Sequence, residues 1–320
     1  RTDISPEAQV TIHMRSPTLG ELPAPPEATT VWPWTRGSPA VSDTMPDGSD
    51  WPLISIVTPS YNQGRFLEQS IRSVLLQGYP RLELIIVDGR SDDGSLQIIE
   101  QYQTWLKYWV SETDSGPANA LNKGFRYASG DILAFLNADD FYLPGCLHKV
   151  AEEFRTHATA DVISGHGFFA KASGDVGVPT FSDRWSVRRF RYGACVLVQP
   201  ATFFRRQALL QADGFKDTTT TCWDMELWAD MARAGARFHS MDALVAACRL
   251  HPDSITGSPT FREMHRRDAL RVMQKMGAAP ASRMRATLSF MHRTAKFLTH
   301  PRRTLQQRLF FYSTLHRWGP

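Results

Sequence analysis

The chain has 320 residues, 42% of them hydrophobic and 21% charged, with a net charge of +4 at neutral pH. That balance supports a sizeable core and excludes a disordered or low-complexity chain, and the length fits one large α/β domain or two ordinary ones. No apolar run approaches the roughly 18 residues of a membrane span.

Taken in chain order, the first 52 residues hold nine of the 20 prolines. A stretch such as PAPPEATTVWPWTRGSPA forms neither a helix nor a central strand. Residues 1–51 are therefore expected to be an extended arm or linker. Trp32 and Trp34 would dock either on the domain that follows, the simpler case, or on a partner. From Pro52 the pattern changes. LISIVT (53–58) predicts a buried strand, and GRFLEQSIRSVLLQ (64–77) an amphipathic helix with Leu67, Ile71, Val74 and Leu75 on one face. LELIIVD (82–88) predicts a second strand, followed by a turn and a helix near 95–105. KYWVSE (107–112) predicts a third strand, a helix starts at about Pro117, and ILAFLN (132–137) predicts a fourth strand. In the second half, ADVISGHG (160–167), ACVLVQPATFFRR (194–206) and ALVAACRLH (243–251) read as strands. CWDMELWADMARAG (222–235) reads as a helix closed by Gly235. Residues 261–320 read as mostly helical and basic, broken at Pro280 and Pro301.

Strands alternating with helices at this spacing predict a mostly parallel central sheet with helices on both faces, a Rossmann-like α/β fold. Active sites in such sheets lie at the carboxyl ends of the strands. The four ends here are Thr58-Pro59-Ser60-Tyr61-Asn62, Asp88-Gly89, Glu112-Thr113-Asp114 and Asn137-Ala138-Asp139-Asp140. All are polar and three carry acid. In the last, an apolar strand runs straight into two adjacent carboxylates, which repel unless a cation or hydrogen-bond donors compensate them. The spacing is that of either a solvated loop or a site that holds a metal.

Four segments in order, TPSYNQGRFLEQSIRSVLLQ, IIVDGRSDDGS, ALNKGFRYASGDILAFLNADD and WDMELW, resemble the inverting family 2 glycosyltransferases of GT-A fold. The resemblance covers roughly residues 52 to 255 and divides the chain into an arm (1–51), a GT-A domain (52–258) and a basic helical C-terminal extension (259–320). It implies a nucleotide-sugar donor, most simply a UDP-sugar, a Mn²⁺ or Mg²⁺ ion, and one in-line displacement at the anomeric carbon. Hard oxygen ligands shared with a diphosphate suit either ion. By position in the family's motifs, Asp139 is the metal ligand. Asn137 stands where the family has the first acid of its D-x-D motif, and Ala138 lies between them. Asp140 is either a neighbour of that ligand or a turn residue. Thr58, Pro59, Tyr61 and Asp88 would surround the base of the nucleotide, and Asp92 is either a helix cap or a ligand. Asp114, near the cap of a helix with Pro117 at its first position, together with Asn122 and Lys123, would serve the sugar or diphosphate. Asp224 is assigned as the base that takes the acceptor hydroxyl's proton. Glu226, two positions on, cannot share its face of the helix and becomes a structural or acceptor-orienting residue. Gln199 is a candidate sugar or acceptor contact, and His251 resembles a late histidine beside the diphosphate or metal.

The acceptor implied is a glycan or a lipid-linked molecule. After Asp268 the chain has no Asp or Glu but ten Arg and Lys residues. Interleaved with Leu, Phe, Trp and Tyr, they suit an anionic membrane face, and no nucleic-acid module is recognisable. The cysteines Cys146, Cys195, Cys222 and Cys248 form no C-x-x-C pair and no Cys/His cluster. They read as reduced thiols of a cytosolic protein and not as a disulfide framework or zinc site, and no signal peptide is visible. The expected location is therefore cytoplasmic, at most peripheral at the inner membrane face. Two other readings remain: a catalytically idle nucleotide-sugar or glycan-binding module, and a sugar nucleotidyltransferase. The glycine-rich loop that the latter needs after its first strand is missing from TPSYNQ.

Overall fold

The structure, a computed structural model, describes residues 16–26, 29, 31–278, 286–291, 294, 305 and 309. The chain forms two compact units, residues 1–148 and 149–320.

In the first unit the strands are β1 (Ile54–Ser60), β2 (Leu82–Asp88), β3 (Tyr108–Ser111), β4 (Ile132–Phe135) and a two-residue β5 (Phe141–Tyr142). β2 pairs with β1 and β3, and β1 pairs with β4, all in parallel, giving the order β3-β2-β1-β4. Helices α1 (Gly64–Leu75), α2 (Ser95–Tyr102) and α3 (Pro117–Phe125) connect them. β4 is apolar throughout and β1 and β2 mostly so because both faces are covered, and their residues from Ile54 to Val57, Leu84 to Val87 and Ile132 to Phe135 are buried. α3 lies close on β1 and β2 because Gly124 has no side chain. A Cβ there would stand 2.4 Å from a methyl of Val57.

The first backbone amides of α1 and α2 have one carboxylate between them. Asp93 accepts from Gly64 N–H at 2.7 Å and from Ser95 N–H at 3.2 Å. The capping role weighed for Asp92 thus belongs to its neighbour, while Asp92 is exposed and donates its N–H to Asn62 Oδ1.

The described part of the proline-rich arm lies on this unit. Apart from one turn of 3₁₀ helix, Leu19–Glu21, the described residues between 16 and 40 contain no helix or strand. Ser16 Oγ donates to Tyr79 O, Ser38 N–H to Leu76 O, and Trp32 Nε1 to Tyr142 O. At the centre is Arg72 on α1, fully buried. Its Nη1 donates to Pro23 O and to Tyr102 Oη, both at 2.8 Å, and its guanidinium lies over the ring of Trp34.

α4 (Cys146–Thr156) leads into the second unit, which contains β6 (Val162–Ala170), β7 (Val176–Thr180), α5 (Val187–Phe190), β8 (Thr202–Arg205), α6 (Arg206–Gln211), α7 (Trp223–Arg233), β9 (Phe238–Arg249) and α8 (Arg262–Lys275). β6 pairs antiparallel with β7 and β8 and parallel with β9, so this unit departs from the parallel pattern. The strand expected over 194–206 is confined to Thr202–Arg205. Pro200 has no N–H for a ladder, and Gln199–Ala201 forms a 3₁₀ turn instead. α7 ends as expected, with Gly235 at a positive φ of 91°. α8 packs on α7, with Phe190, Cys195, Cys222, Ala229, Val272 and Met276 in one cluster. The rest of the expected helical extension lies largely outside the described residues. Among those described, no helix is long and apolar enough to cross a membrane.

Arg72→Ala removes the buried cation that joins the arm to α1 and leaves Tyr102 Oη and Pro23 O without their donor. The variant is expected to lose about 3 kcal/mol, as when a buried polar network loses one member. In limited proteolysis the segment around Pro23 should be cut before any other described part. An unchanged denaturation midpoint and cleavage pattern would show that the contact contributes nothing.

Candidate active site

Because β1 to β4 run parallel, their carboxyl ends lie at one edge of the first unit. In register, Ser60 stands opposite Asp88, and Asp88 opposite Ser111. Leu136 N–H bonds to Val57 O, which brings the start of the acidic turn beside β1.

Asp88 has no solvent exposure. Its carboxylate accepts from Ser91 N–H at 2.9 Å, Ser91 Oγ at 2.6 Å and Ser111 Oγ at 2.7 Å. Ser91 Oγ in turn accepts from Asn62 N–H. Asp88 therefore ties together the loops that follow β1 and β2 and the end of β3. Ser91 and Ser111 were not singled out in the sequence, and neither was Ser60. Its buried hydroxyl, at the end of β1, has no hydrogen-bond partner.

Thr58 is buried within β1, Pro59 follows it, and Tyr61 is 64% exposed. Gly89 sits between two predicted site residues. A Cβ built there would lie 3.2 Å from the Tyr61 ring and 3.2 Å from Asp114 Oδ2. Tyr61, Gly89 and Asp114 thus form one surface that any side chain at position 89 would fill. Asp114 accepts from Gly116 N–H at 2.8 Å, and Gly116, with a φ of 118°, is the residue that caps α3; Asp114 lies two residues before the cap. Pro117 opens the helix, as expected. Asn122 is half-buried on α3. Lys123 Nζ is 2.8 Å from Glu112 Oε1 and close to Thr113 O, so its charge is matched beside Asp114.

In the acidic turn, Asn137 O accepts from Asp140 N–H at 3.0 Å. Ala138 is buried, Asp139 half-buried and Asp140 only 6% exposed. Two adjacent carboxylates and an amide oxygen, partly out of water at a strand end, make a hard oxygen set that fits Mg²⁺ or Mn²⁺.

In the second unit, Asp224 and Glu226 lie in the first turn of α7, whose cap residue is Cys222. Their environments differ. Asp224 is half-buried, and burial pushes its carboxyl above the usual carboxylate range against the opposing pull of the Met225 N–H and His265. Burial acts the same way on Glu226, but hydrogen bonds from Lys275 and Thr218 and the charge of Arg271 hold it below that range. Glu226 is 2% exposed, with Lys275 Nζ at 3.0 Å and Arg271 Nη2 at 2.8 Å. Its carboxylate therefore pins α8 to α7. Cys222 Sγ lies 3.5 Å from His265 Nδ1, and burial together with Asp224 pushes the thiol up to about 12. Gln199 is half-buried in its 3₁₀ turn. His251 is fully buried at the start of a turn, where its carbonyl accepts from Ser254 N–H and Oγ and its Nδ1 lies 3.9 Å from Asp253 Oδ2.

The family profile described as "Glycosyl transferase family 2" matches residues 55–217, just over half of the chain. A glycosyltransferase of Bacillus subtilis strain 168, named for teichuronic acid biosynthesis, is 36% identical over 127 residues, or 38% of this chain and 50% of that protein. The chain thus spans about half the length of this curated relative. Among solved structures, S. aureus TarS 1–349 in complex with UDP superposes with a TM-score of 0.56 at 20% identity, covering 77% of this chain and 72% of that one. The mannosyltransferase PcManGT of Pyrobaculum calidifontis, in complex with GDP-Man and Mn²⁺, superposes with a TM-score of 0.50 at 19% identity, covering 83% and 86%. At these identities the likeness shows the fold, which is the GT-A arrangement expected from the sequence.

A carboxyl whose folded pKa is raised binds its proton more tightly in the folded than in the unfolded chain. It therefore costs stability once the pH passes the unfolded value of about 3.9. Asp224→Asn removes that cost. Its melting temperature relative to wild type should rise between pH 3 and pH 7, with the gain starting near the unfolded value and levelling off above the raised folded value. A difference that does not change with pH would mean that burial does not raise the pKa of Asp224.

Proposed function

The chain belongs to glycosyl transferase family 2, and on that premise we propose that it transfers a sugar from a nucleotide-sugar donor to a glycan or lipid-linked acceptor with inversion. The observation that carries this reading is the surface formed by Tyr61, Gly89 and Asp114 at the same strand edge as the Asn137-Ala138-Asp139-Asp140 turn. An exposed aromatic ring beside a carboxylate, with room kept by a glycine, suits a nucleoside. A turn of oxygen ligands suits its diphosphate.

In this reading Asp88 acts by holding the loops that carry Tyr61 and Ser91, and the unpartnered hydroxyl of Ser60 is available to the donor. Asp139 holds a divalent cation, with Asn137 and Asp140 beside it; such an ion supplies positive charge to the leaving diphosphate. Asn122 and Lys123 flank Asp114 on the sugar or diphosphate side, Lys123 already matched by Glu112. The acceptor hydroxyl oxygen forms a bond to the anomeric carbon while the bond from that carbon to the diphosphate breaks, the electron pair leaving with the nucleotide. Asp224 takes the hydroxyl proton, and a carboxylate whose pKa is raised by burial is a stronger base than an ordinary one. Glu226 supports α7, while Gln199 as an acceptor contact and His251 as a second ligand rest on resemblance. A UDP-sugar is the donor we favour, since TarS is solved with UDP. PcManGT with GDP-Man makes the guanine nucleotide the competitor to test.

The tail enters only in part. Arg271 and Lys275 are engaged by Glu226 and Asp230. A contact with an anionic membrane face at the cytoplasmic side would therefore fall to the basic residues that follow, which lie outside the described residues.

The test is a thermal-shift panel of UDP-, GDP- and other nucleotide sugars with and without Mn²⁺ or Mg²⁺. A ligand at 100 times its dissociation constant adds about 2.7 kcal/mol. One nucleotide family should raise the melting temperature in a metal-dependent way. Asp139→Ala should lose the shift. Asp224→Asn should keep it and lose transfer by about 10²-fold or more, as when a general base is removed. No shift with any donor would favour the idle binding module, and normal turnover by Asp224→Asn would remove Asp224 as the base.

A further inference from the structure

Glu153 on α4, His157 in the turn that follows it and His239 on β9 converge at a place with no part in the proposed transfer. Glu153 and His157 are one helical turn apart and so present their side chains together. His239 is fixed by strand register, opposite Ile163 of β6. Its neighbour Phe238 stacks on Trp185 at 4.3 Å, and alternation along the strand sends His239 to the other face. Three groups able to bind a metal therefore meet, two on regular elements and His157 held to the end of α4 by its N–H on Glu153 O at 2.9 Å.

Glu153 Oε1 lies 2.8 Å from His239 Nε2 and 3.2 Å from His157 Nδ1, and no two of the three ligand atoms are more than 4.8 Å apart. The two imidazoles stack with centroids 3.6 Å apart and planes 23° from parallel. The His157 Nδ1 atom is shut off from solvent and makes no hydrogen bond, although the carboxylate oxygen stands so near. In its deprotonated form that nitrogen, beside an imidazole and a carboxylate, is an available ligand.

We propose that Glu153, His157 and His239 form a binding site for a borderline transition-metal dication, Zn²⁺ by preference, which joins α4 to β9. Zinc at about 2.0–2.1 Å from each of its tetrahedral ligands needs ligand atoms about 3.3–3.4 Å apart. Two of the three separations are already close to that or shorter, and binding requires the stacked imidazoles to turn apart so that both ring planes meet at the ion. Two imidazoles with one carboxylate select Zn²⁺, Co²⁺ or Ni²⁺ over the hard Mg²⁺ ion that suits Asp139. The histidine side chains are 39% and 31% exposed, which leaves an entry path and a fourth position for water. The site is independent of the sugar-transfer reading.

Cobalt(II) titration of the intact chain, followed by visible absorption, reads the site directly, and Zn²⁺ competition gives its affinity. One equivalent of Co²⁺ should develop bands that Zn²⁺ bleaches, and Zn²⁺ but not Mg²⁺ should raise the melting temperature. His157→Gln is the cleaner variant, because Nδ1 makes no hydrogen bond in the protein without metal, and an unchanged melting temperature in the absence of Zn²⁺ checks its fold. His157→Gln and His239→Gln should each weaken Zn²⁺ by at least about tenfold, the smallest loss expected for a group in or beside a coordination shell. Asp139→Ala should leave the bands unchanged. Absence of a stoichiometric Co²⁺ complex, or an unchanged complex in the His157→Gln/His239→Gln double variant, overturns the proposal.

Discussion

A carboxylate with no access to water has to be compensated by its own protein, and at Asp88 that requirement organises a whole edge of the molecule. Burying such a charge without donors would cost several kcal/mol. Three donors from Ser91 and Ser111 meet it, and Asn62 joins through Ser91. The loops after β1 and β2 are thereby held in fixed relation to β3. Tyr61 can be 64% exposed and still have a defined place, because the backbone on either side of it is fixed from beneath. Asp93 does the same one turn further on, serving the starts of α1 and α2 together. The acids of this edge thus divide into those spent inward on architecture and those, Asp114 and Asp139, placed where a ligand could reach them.

The second unit shows the same division on one helix. Glu226 and Asp224 are two residues apart, and their acidities are driven in opposite directions. α8 brings Lys275 and Arg271 to one, and burial governs the other. Two titratable groups whose environments separate their pKa values are a common arrangement around proton transfer. The Thr220 and Thr221 amides, close to them in the chain, donate to Asp268, and Lys275 also meets Asp230.

Much of the first unit was legible because its strands are covered on both faces. An apolar run such as LELIIVD has one sensible reading, and the polar residues at its end mark the functional edge. Other features failed for definite reasons. The run at 194–206 is apolar enough for a strand, but Pro200 interrupts it. β7 is short, contains Pro179 and is half-exposed, so neither length nor pattern marks it. α4 carries the helical spacing of Leu147, Val150, Ala151 and Phe154, all buried, and periodicity alone would have found it. At the candidate site, chain position singled out Asp88, but the serines that satisfy it come from other segments, and only the folded register shows that its carboxylate is engaged. The convergence of Glu153 and His239, 86 positions apart, has no local signature at all. A cysteine-and-spacing rule looks for ligands close in sequence and passes over it.

The contact between Arg72 and the arm has a consequence for where this fold begins. Composition suggests an edge at Pro52, where proline-rich chain gives way to regular alternation. Burial places it earlier. Nine of the twelve residues of α1 are buried, among them Gln69, Ser70, Arg72 and Ser73, polar groups that a helix ordinarily turns to water. Gln69 and Arg72 meet the arm, through Trp32 O, Pro23 O and the ring of Trp34, while Ser73 accepts from Tyr142 N–H of β5. A version of the protein trimmed to the regular region would lose both tryptophans and present a furrow with Arg72 and Gln69 in it and Tyr102 beside them. Such a furrow is a ready receptor for the detached arm supplied as a peptide, and for the arm of a neighbouring molecule at high concentration.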